Sequence, residues 1–213
     1  MRSWFGIPLS NNYVLPASPG CTDCIVCRCT NETALLSQYD PSTALIRERV
    51  STYAAEGGRY PQVNGWDQGT YWTGDQGLIL GGLTDYLKLS PNDATSLKVT
   101  KMIVNGVRAK MVDQTGAVVP WLSKDGSAPG GDPGDYKSGS GVFMRYLLYS
   151  AQQSNSPIAN VVAGPEFQGF LKKSVQAAMC APRGDMFDTF NVLATLTAGK
   201  QLLKDQNVTA SCQ

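Results

Sequence analysis

Apolar residues recur along this chain mostly at helical spacing, in blocks closed by glycine, proline and capping residues. Leu45, Ile46, Val50, Tyr53 and Ala54 follow Asp40-Pro41, an N-cap with proline at the first helical position, and precede the stop at Gly57-Gly58. That pattern predicts a helix over 41–56. Ile79, Leu80, Leu83, Tyr86 and Leu87 predict a second helix over 74–89. Leu97, Met102, Ile103, Val107 and Met111 predict a third over 93–112, entered at Ser90-Pro91. Further helices are expected over 141–153, over 165–180 after Gly164-Pro165 with Phe167, Phe170, Leu171 and Val175, and over 186–204 with Phe187, Phe190, Leu193, Leu196 and Leu202 or Leu203. Strand alternation is weak except from Ala117 to Leu122, where a short hairpin is expected after the turn at Thr115-Gly116.

Helices in succession with few strands between them predict an all-α fold. The links at 89–93 and 180–185 are short, whereas residues 57–72 and 114–140 form long stretches rich in Gly, Pro and Asp. Long loops inside a compact domain are usually functional. Short links alternating with long loops resemble an (α/α) toroid of helical hairpins, with its long loops gathered at one mouth. Residues 1–30 show no period and are expected to be an irregular, Cys-rich segment, with the helical domain over 31–213.

Composition narrows the chemistry. The 213 residues carry a formal net charge of +1 and no basic run, which removes the electrostatic case for nucleic acid or an anionic membrane. No apolar stretch approaches the ~20 residues of a membrane span. The chain has no histidine, so Ser-His-Asp and Cys-His catalysis and His-ligated metals are excluded, and acid–base work falls to carboxylates, lysine, tyrosine or cysteine. Cys21, Cys24, Cys27 and Cys29 are packed too closely for the separated pairs of a zinc site, so a disulfide arrangement, or an N-terminal stretch not native to the folded domain, is expected there rather than metal, and no cofactor is called for. Cys180 and Cys212 each end a helical segment and are able to pair if those ends meet. The sequons at Asn31 and Asn207 favour a secreted or cell-surface protein, although the first twenty residues lack the basic and apolar regions of a signal peptide.

The candidate chemistry gathers in Trp66-Asp67-Gln68-Gly69-Thr70-Tyr71-Trp72-Thr73-Gly74-Asp75-Gln76-Gly77. Aromatic faces stack on the C–H faces of sugars, carboxylates and amides satisfy paired hydroxyls, and glycines let a ligand approach the backbone. The same residues also read as a capping box, with Thr73 accepting a backbone N–H, Gln76 reaching back, and Asp75 complementing the helix dipole. Trp66 and Trp72 are equally able to be core.

The stretch Trp72-Thr73-Gly74-Asp75-Gln76-Gly77-Leu78-Ile79-Leu80-Gly81-Gly82-Leu83 resembles the W-T-Y-N-Q-G-V-I-L-G-G-L signature of glycoside hydrolase family 76. Gly141-Val142-Phe143-Met144-Arg145-Tyr146-Leu147 resembles that family's F-K-G-I-F-M-R-Y-L segment, and Asn31-Glu32-Thr33-Ala34-Leu35-Leu36 is similar, more loosely, to its S-N-E-L-F-L. The resemblance implies a secreted or surface α-1,6-mannanase-like domain on an (α/α)6 barrel. The family's catalytic pair is an adjacent Asp-Asp lying before the S-N-E-L-F-L segment. This sequence has no Asp-Asp dipeptide, Asp75 stands where the family has asparagine, and the preceding helices find no room. An incomplete (α/α)6 barrel is therefore expected, with no catalytic residue assigned.

The residues expected to bind a polysaccharide or oligosaccharide are Tyr71, Trp72, Asp75, Gln76, Asp135 and Arg145. Asp67, Asp132 and Asp135 are the acids able to meet Asp75, while Asp132-Pro133-Gly134-Asp135 also reads as a solvated turn. Arg145 is expected at the mouth or against a buried carboxylate. A hydrolase acting on α-mannan, a non-catalytic glycan-binding module, and a fragment associating through an uncovered apolar face are the three readings this leaves.

Overall fold

The computed structural model describes residues 39–40, 43–47, 50–54, 61–66, 71–123, 134–203, 208–210 and 212. Helix dominates them. In chain order the elements are β1 (Tyr39–Asp40), β2 (Leu45–Ile46), β3 (Val50–Ala54), β4 (Pro61–Trp66), β5 (Tyr71–Trp72), α1 (Thr73–Leu89), α2 (Ala94–Lys110), β6 (Trp121–Leu122), a 3-10 helix (Gly134–Ser138), α3 (Gly139–Ala151), α4 (Ala159–Ala163), α5 (Pro165–Cys180) and α6 (Met186–Leu202). The strands form three separate antiparallel pairs, β1 with β2, β3 with β4 and β5 with β6.

The helix expected over 41–56 is not formed. Residues 45–46 and 50–54 are strands, and Leu45 and Ile46 are both fully buried, which an amphipathic surface helix would not require of that pair alone. β3 reads Val-Ser-Thr-Tyr-Ala, a β-branched and aromatic run that fits a pleated surface better than a helix. The long stretch at 114–140 also carries structure. Its tip turns through Gly116 at φ 91°, Val112 bridges to Val118, and β6 pairs Trp121 with Trp72 across the start of α1. The hairpin expected around 117–122 is thus present, with its outer strand paired to β5.

The helices lie in two layers around one core. α1, α3 and α6 form a row, α1 against α3 and α3 against α6, while α2 packs on α1 and α5 on α6. Leu80, Val104, Val107, Phe143, Met144, Leu147, Phe167, Leu171, Val175 and Ala198 draw on both layers and belong to a single apolar cluster. A Leu→Ala change at such a site costs about 2–5 kcal/mol. Arg108 and Glu166, 2.8 Å apart, link α2 to α5 at the surface. Cys180, at the end of α5, is bonded to Cys212 with their Cα atoms 5.4 Å apart, so the expected pair forms, although Cys212 lies in non-helical chain beyond the end of α6 and not at a helix end.

Close approach between α1 and α3 is made by small residues. A Cβ on Gly77 would lie 2.7 Å from the Phe143 Cα, and one on Gly81 would lie 2.4 Å from the Tyr146 ring. Farther along, the Thr84 hydroxyl donates to Ser150 Oγ at 2.7 Å. The partners advance together, 77 with 143, 81 with 146 and 84 with 150, so the two helices run parallel. The N-terminal turns of α3 and α6 are also side by side, since Gly141 N–H donates to Asn191 Oδ1 at 2.8 Å. α5 and α6 run the opposite way to each other: Gln168 reaches Leu202, and Gly199 packs on Val175.

The row leaves one face to solvent. On α1 it carries Asp75, Leu78, Gly82, Asp85 and Leu89, on α3 Val142, Arg145 and Tyr149, and on α6 Met186, Thr189, Leu193, Thr197 and Lys200. This is not the uncovered apolar face expected from sequence. Charged and hydroxyl groups are interspersed through it, and its large apolar exposures, Leu89, Met186 and Leu193, are scattered over two helices.

Candidate functional site

The N-terminal ends of α1, α3 and α6 meet at one end of the row, and the aromatic candidates of the sequence sit there. Trp72 is the N-cap residue of α1 and is half-buried. Its indole N–H donates to the Tyr136 carbonyl at 2.9 Å, and the two rings meet edge to face with centroids 5.6 Å apart. A Cβ on Gly74 would come within 2.4 Å of the indole, and one on Gly139 within 2.5 Å. The two glycines therefore form the slot that seats Trp72 between the starts of α1 and α3.

The capping box expected at this helix start is absent. Thr73 donates its hydroxyl to the Val119 carbonyl, and its backbone N–H bonds Pro120 O at 2.9 Å, so Thr73 holds the 118–122 strap instead of capping α1. Gln76 is fully buried. Its Oε1 accepts from Ile46 N at 2.8 Å, and its Nε2 donates to Ile46 O at 2.7 Å and to Trp72 O at 3.2 Å. The amide acts as a strand partner for β2 and is committed to backbone, which corrects its expected role as a ligand contact. Tyr71 is likewise corrected: it is buried in the core cluster, on the strand that pairs with β6.

Asp75 lies half-buried in the first turn of α1, where the helix dipole favours a carboxylate. The backbone of Asp135 lies in the 3-10 helix, while its side chain, and all of Asp67 and Asp132, lie outside the described residues. Arg145 is exposed in the middle of α3, six residues from the helix start, so it is not set against a buried carboxylate. It belongs to the open face of the row.

Four residues at this end were not singled out by the sequence. Tyr136 and Lys137 come from the 3-10 helix, Asp185 and Asn191 from the start of α6. Lys137 Nζ bonds Asp185 Oδ2 at 3.1 Å, with both side chains about two-fifths exposed (41% and 38%). Asp185 also caps α6, its Oδ1 accepting from Asp188 N at 2.9 Å. That backbone N–H first, and the Lys137 ammonium second, hold the Asp185 carboxyl below the usual carboxylate range. Asn191 donates to the Lys137 carbonyl at 2.7 Å while accepting from Gly141 N, which fixes the 3-10 helix to the start of α6. The one sequence signal for this cluster was the Gly139/Gly141 pair, since a Cβ on Gly141 would fall within 2.5 Å of Phe190.

The arrangement offers an aromatic pair, an ammonium and carboxylates on one rim, a set suited to binding hydroxyl-rich ligands. The lowered Asp185 carboxyl does not have the raised pKa that a glycosidase general acid needs. Among the described residues no three acids or cysteines converge as metal ligands, and no helix is long and apolar enough to cross a membrane. Comparison with protein-family models, with curated proteins and with solved structures finds no match.

Proposed function

We propose that this chain is a glycan-binding domain of the family-76-like kind, engaging α-mannan or a related cell-wall polysaccharide without hydrolysing it. The observation that carries the reading is the Trp72–Tyr136 pair, held at the common N-terminal end of three helices beside Lys137 and Asp185. Three further features support it. The helices of the row alternate along the chain with helices of the second layer, as inner and outer helices would in about half of an (α/α)6 toroid. The sequence has no Asp-Asp dipeptide to serve as the family's catalytic pair. The Cys180–Cys212 disulfide favours an oxidising compartment, in keeping with a secreted or cell-surface protein.

The test is calorimetric titration of the purified chain with α-1,6-linked mannose oligosaccharides, alongside a reducing-end assay. Binding without turnover is expected. Tyr136→Ala should weaken binding about fivefold, the equivalent of roughly 1 kcal/mol of aromatic contact, with an unchanged helical spectrum. It is a cleaner probe than Trp72→Ala, which also empties the slot between Gly74 and Gly139. Failure to bind any mannose oligosaccharide would overturn the proposal, and clear turnover would restore the hydrolase reading.

A further inference from the structure

We infer that the glycan site continues beyond the Trp72 rim as a groove along the open face of α1 and α3, ending at a second polar station formed by Asp85, Lys88 and Tyr149. This rests on the glycan-binding reading above and extends it to the length of ligand bound.

The first observation is Gly82. An exposed glycine inside a helix is unfavourable, and its neighbours in α1 show why the others are tolerated. Gly77 and Gly81 admit α3, whereas a Cβ on Gly82 would meet nothing within 4 Å. Among the described residues no packing accounts for Gly82. What it does is leave bare backbone halfway along the open face of α1, with Arg145 of α3 exposed at nearly the same height, since Arg145 lies beside Tyr146, the partner of Gly81.

The second observation lies one helical turn beyond. Lys88 Nζ donates to Asp85 Oδ1 at 2.8 Å and to the Tyr149 hydroxyl at 2.7 Å, and Tyr149 donates in turn to Asp85 Oδ1. Burial alone would raise the Asp85 carboxyl, but the bonds from Lys88 and Tyr149 outweigh it and hold it below the usual carboxylate range. Each partner keeps unused capacity. The ammonium has a third proton, the carboxylate has its second oxygen, and the side chains remain 46% and 61% exposed. A donor and an acceptor fixed side by side match two neighbouring hydroxyls of a sugar ring. The mutual bonds across α1 and α3 hold them in place before any ligand arrives.

Trp72 and Asp85 are thirteen residues apart, and a helix rises about 1.5 Å per residue, so the two stations are separated by about 20 Å. That spans several pyranose rings. The ligand class is therefore a neutral oligosaccharide of several units lying along α1, with Gly82 giving room for its middle and the Arg145 guanidinium donating to its hydroxyls.

The test compares α-1,6-linked mannobiose with the corresponding hexasaccharide by calorimetry. The wild-type chain should bind the hexasaccharide about tenfold more tightly, as two extra hydrogen bonds would give. Gly82→Leu, whose side chain projects into open space, should abolish that advantage without altering the helical spectrum. Lys88→Met and Tyr149→Phe should reduce it. Tyr136→Ala should weaken both sugars. Equal affinity of the wild type for the two sugars, or a hexasaccharide advantage untouched by Gly82→Leu, would overturn the groove while leaving the Trp72 site standing. Loss of all binding in the wild type would remove both.

Discussion

The two faces of α1 use glycine in opposite ways. Toward α3, Gly77 and Gly81 replace side-chain volume with backbone proximity, and the Phe143 backbone and Tyr146 ring occupy the space a Cβ would take. On the far side, one residue from Gly81, Gly82 leaves space that none of the described residues fills. The packed face also consumes its polar groups: Gln76 pairs with Ile46, and Thr84 with Ser150. The open face keeps Asp85 and Lys88 accessible. One side of the helix is thus built to be touched by protein, and the other is polar enough to stay in water. The difference shows that a Gly-Gly pair in sequence need not have a single cause.

The comparison breaks most visibly at Gln76. Replacing it with leucine keeps the volume but strands the N–H and carbonyl of Ile46, both buried. Each unsatisfied group costs about 1–3 kcal/mol, so Gln76→Leu is expected to destabilise by about 4 kcal/mol in urea unfolding. An effect under about 1 kcal/mol would mean that water or another group serves Ile46, and that Gln76 is free for a ligand after all. Gly77→Ala follows. Its Cβ would meet main-chain atoms that cannot rotate away, so overpacking near the upper end of the usual range, about 3 kcal/mol, is expected. Gly81→Ala should cost less, because the half-exposed Tyr146 ring is able to move. Equal losses at the two positions would mean that α3 shifts as a rigid body.

How much of this was legible in the sequence depends on which link is asked about. Helices α1, α2, α3, α5 and α6 stand close to where periodicity placed them, whereas the short α4 was not expected. The faces were less legible. In α6 the large residues Leu193 and Met186 are exposed, and the buried side is Val192, Thr195, Ala198 and Gly199. Leu196, Leu202 and Leu203 of the expected stripe do reach the core, but counting apolar bulk keeps the exposed Leu193 and misses the small buried positions through which the helices approach. The stretch at 41–56 misled for a related reason: Leu45 and Ile46 are buried as neighbours in a two-residue strand whose backbone is satisfied by a glutamine amide thirty residues away. Of the candidate site, Trp72 was visible as an aromatic at a helix start. Tyr136, Lys137, Asp185 and Asn191 were not, because they become a cluster only when the 3-10 helix docks on α6, across 48 to 54 residues of sequence. Arg145 was visible as part of a motif, but a motif position does not say at what height on a helix a residue stands.

The smallest expected effect is the sharpest test of the contrast. Gly82→Ala places a methyl group where nothing lies within 4 Å, in the middle of a seventeen-residue helix. Alanine loses less backbone entropy than glycine on folding, so the substitution should stabilise the chain by up to about 1 kcal/mol. In a domain of this size that corresponds to a rise in melting temperature of about 2–4 °C. The sign is the informative part. Gly81→Ala, one residue earlier, should lower the melting temperature, and the two single substitutions together should nearly add only if they act on separate faces. A fall in melting temperature for Gly82→Ala would mean that another part of the chain or a second copy covers this face of α1. The groove would then be an interface, and the exposed polar groups of Asp85, Lys88 and Arg145 would have to be explained by that contact instead of by a sugar.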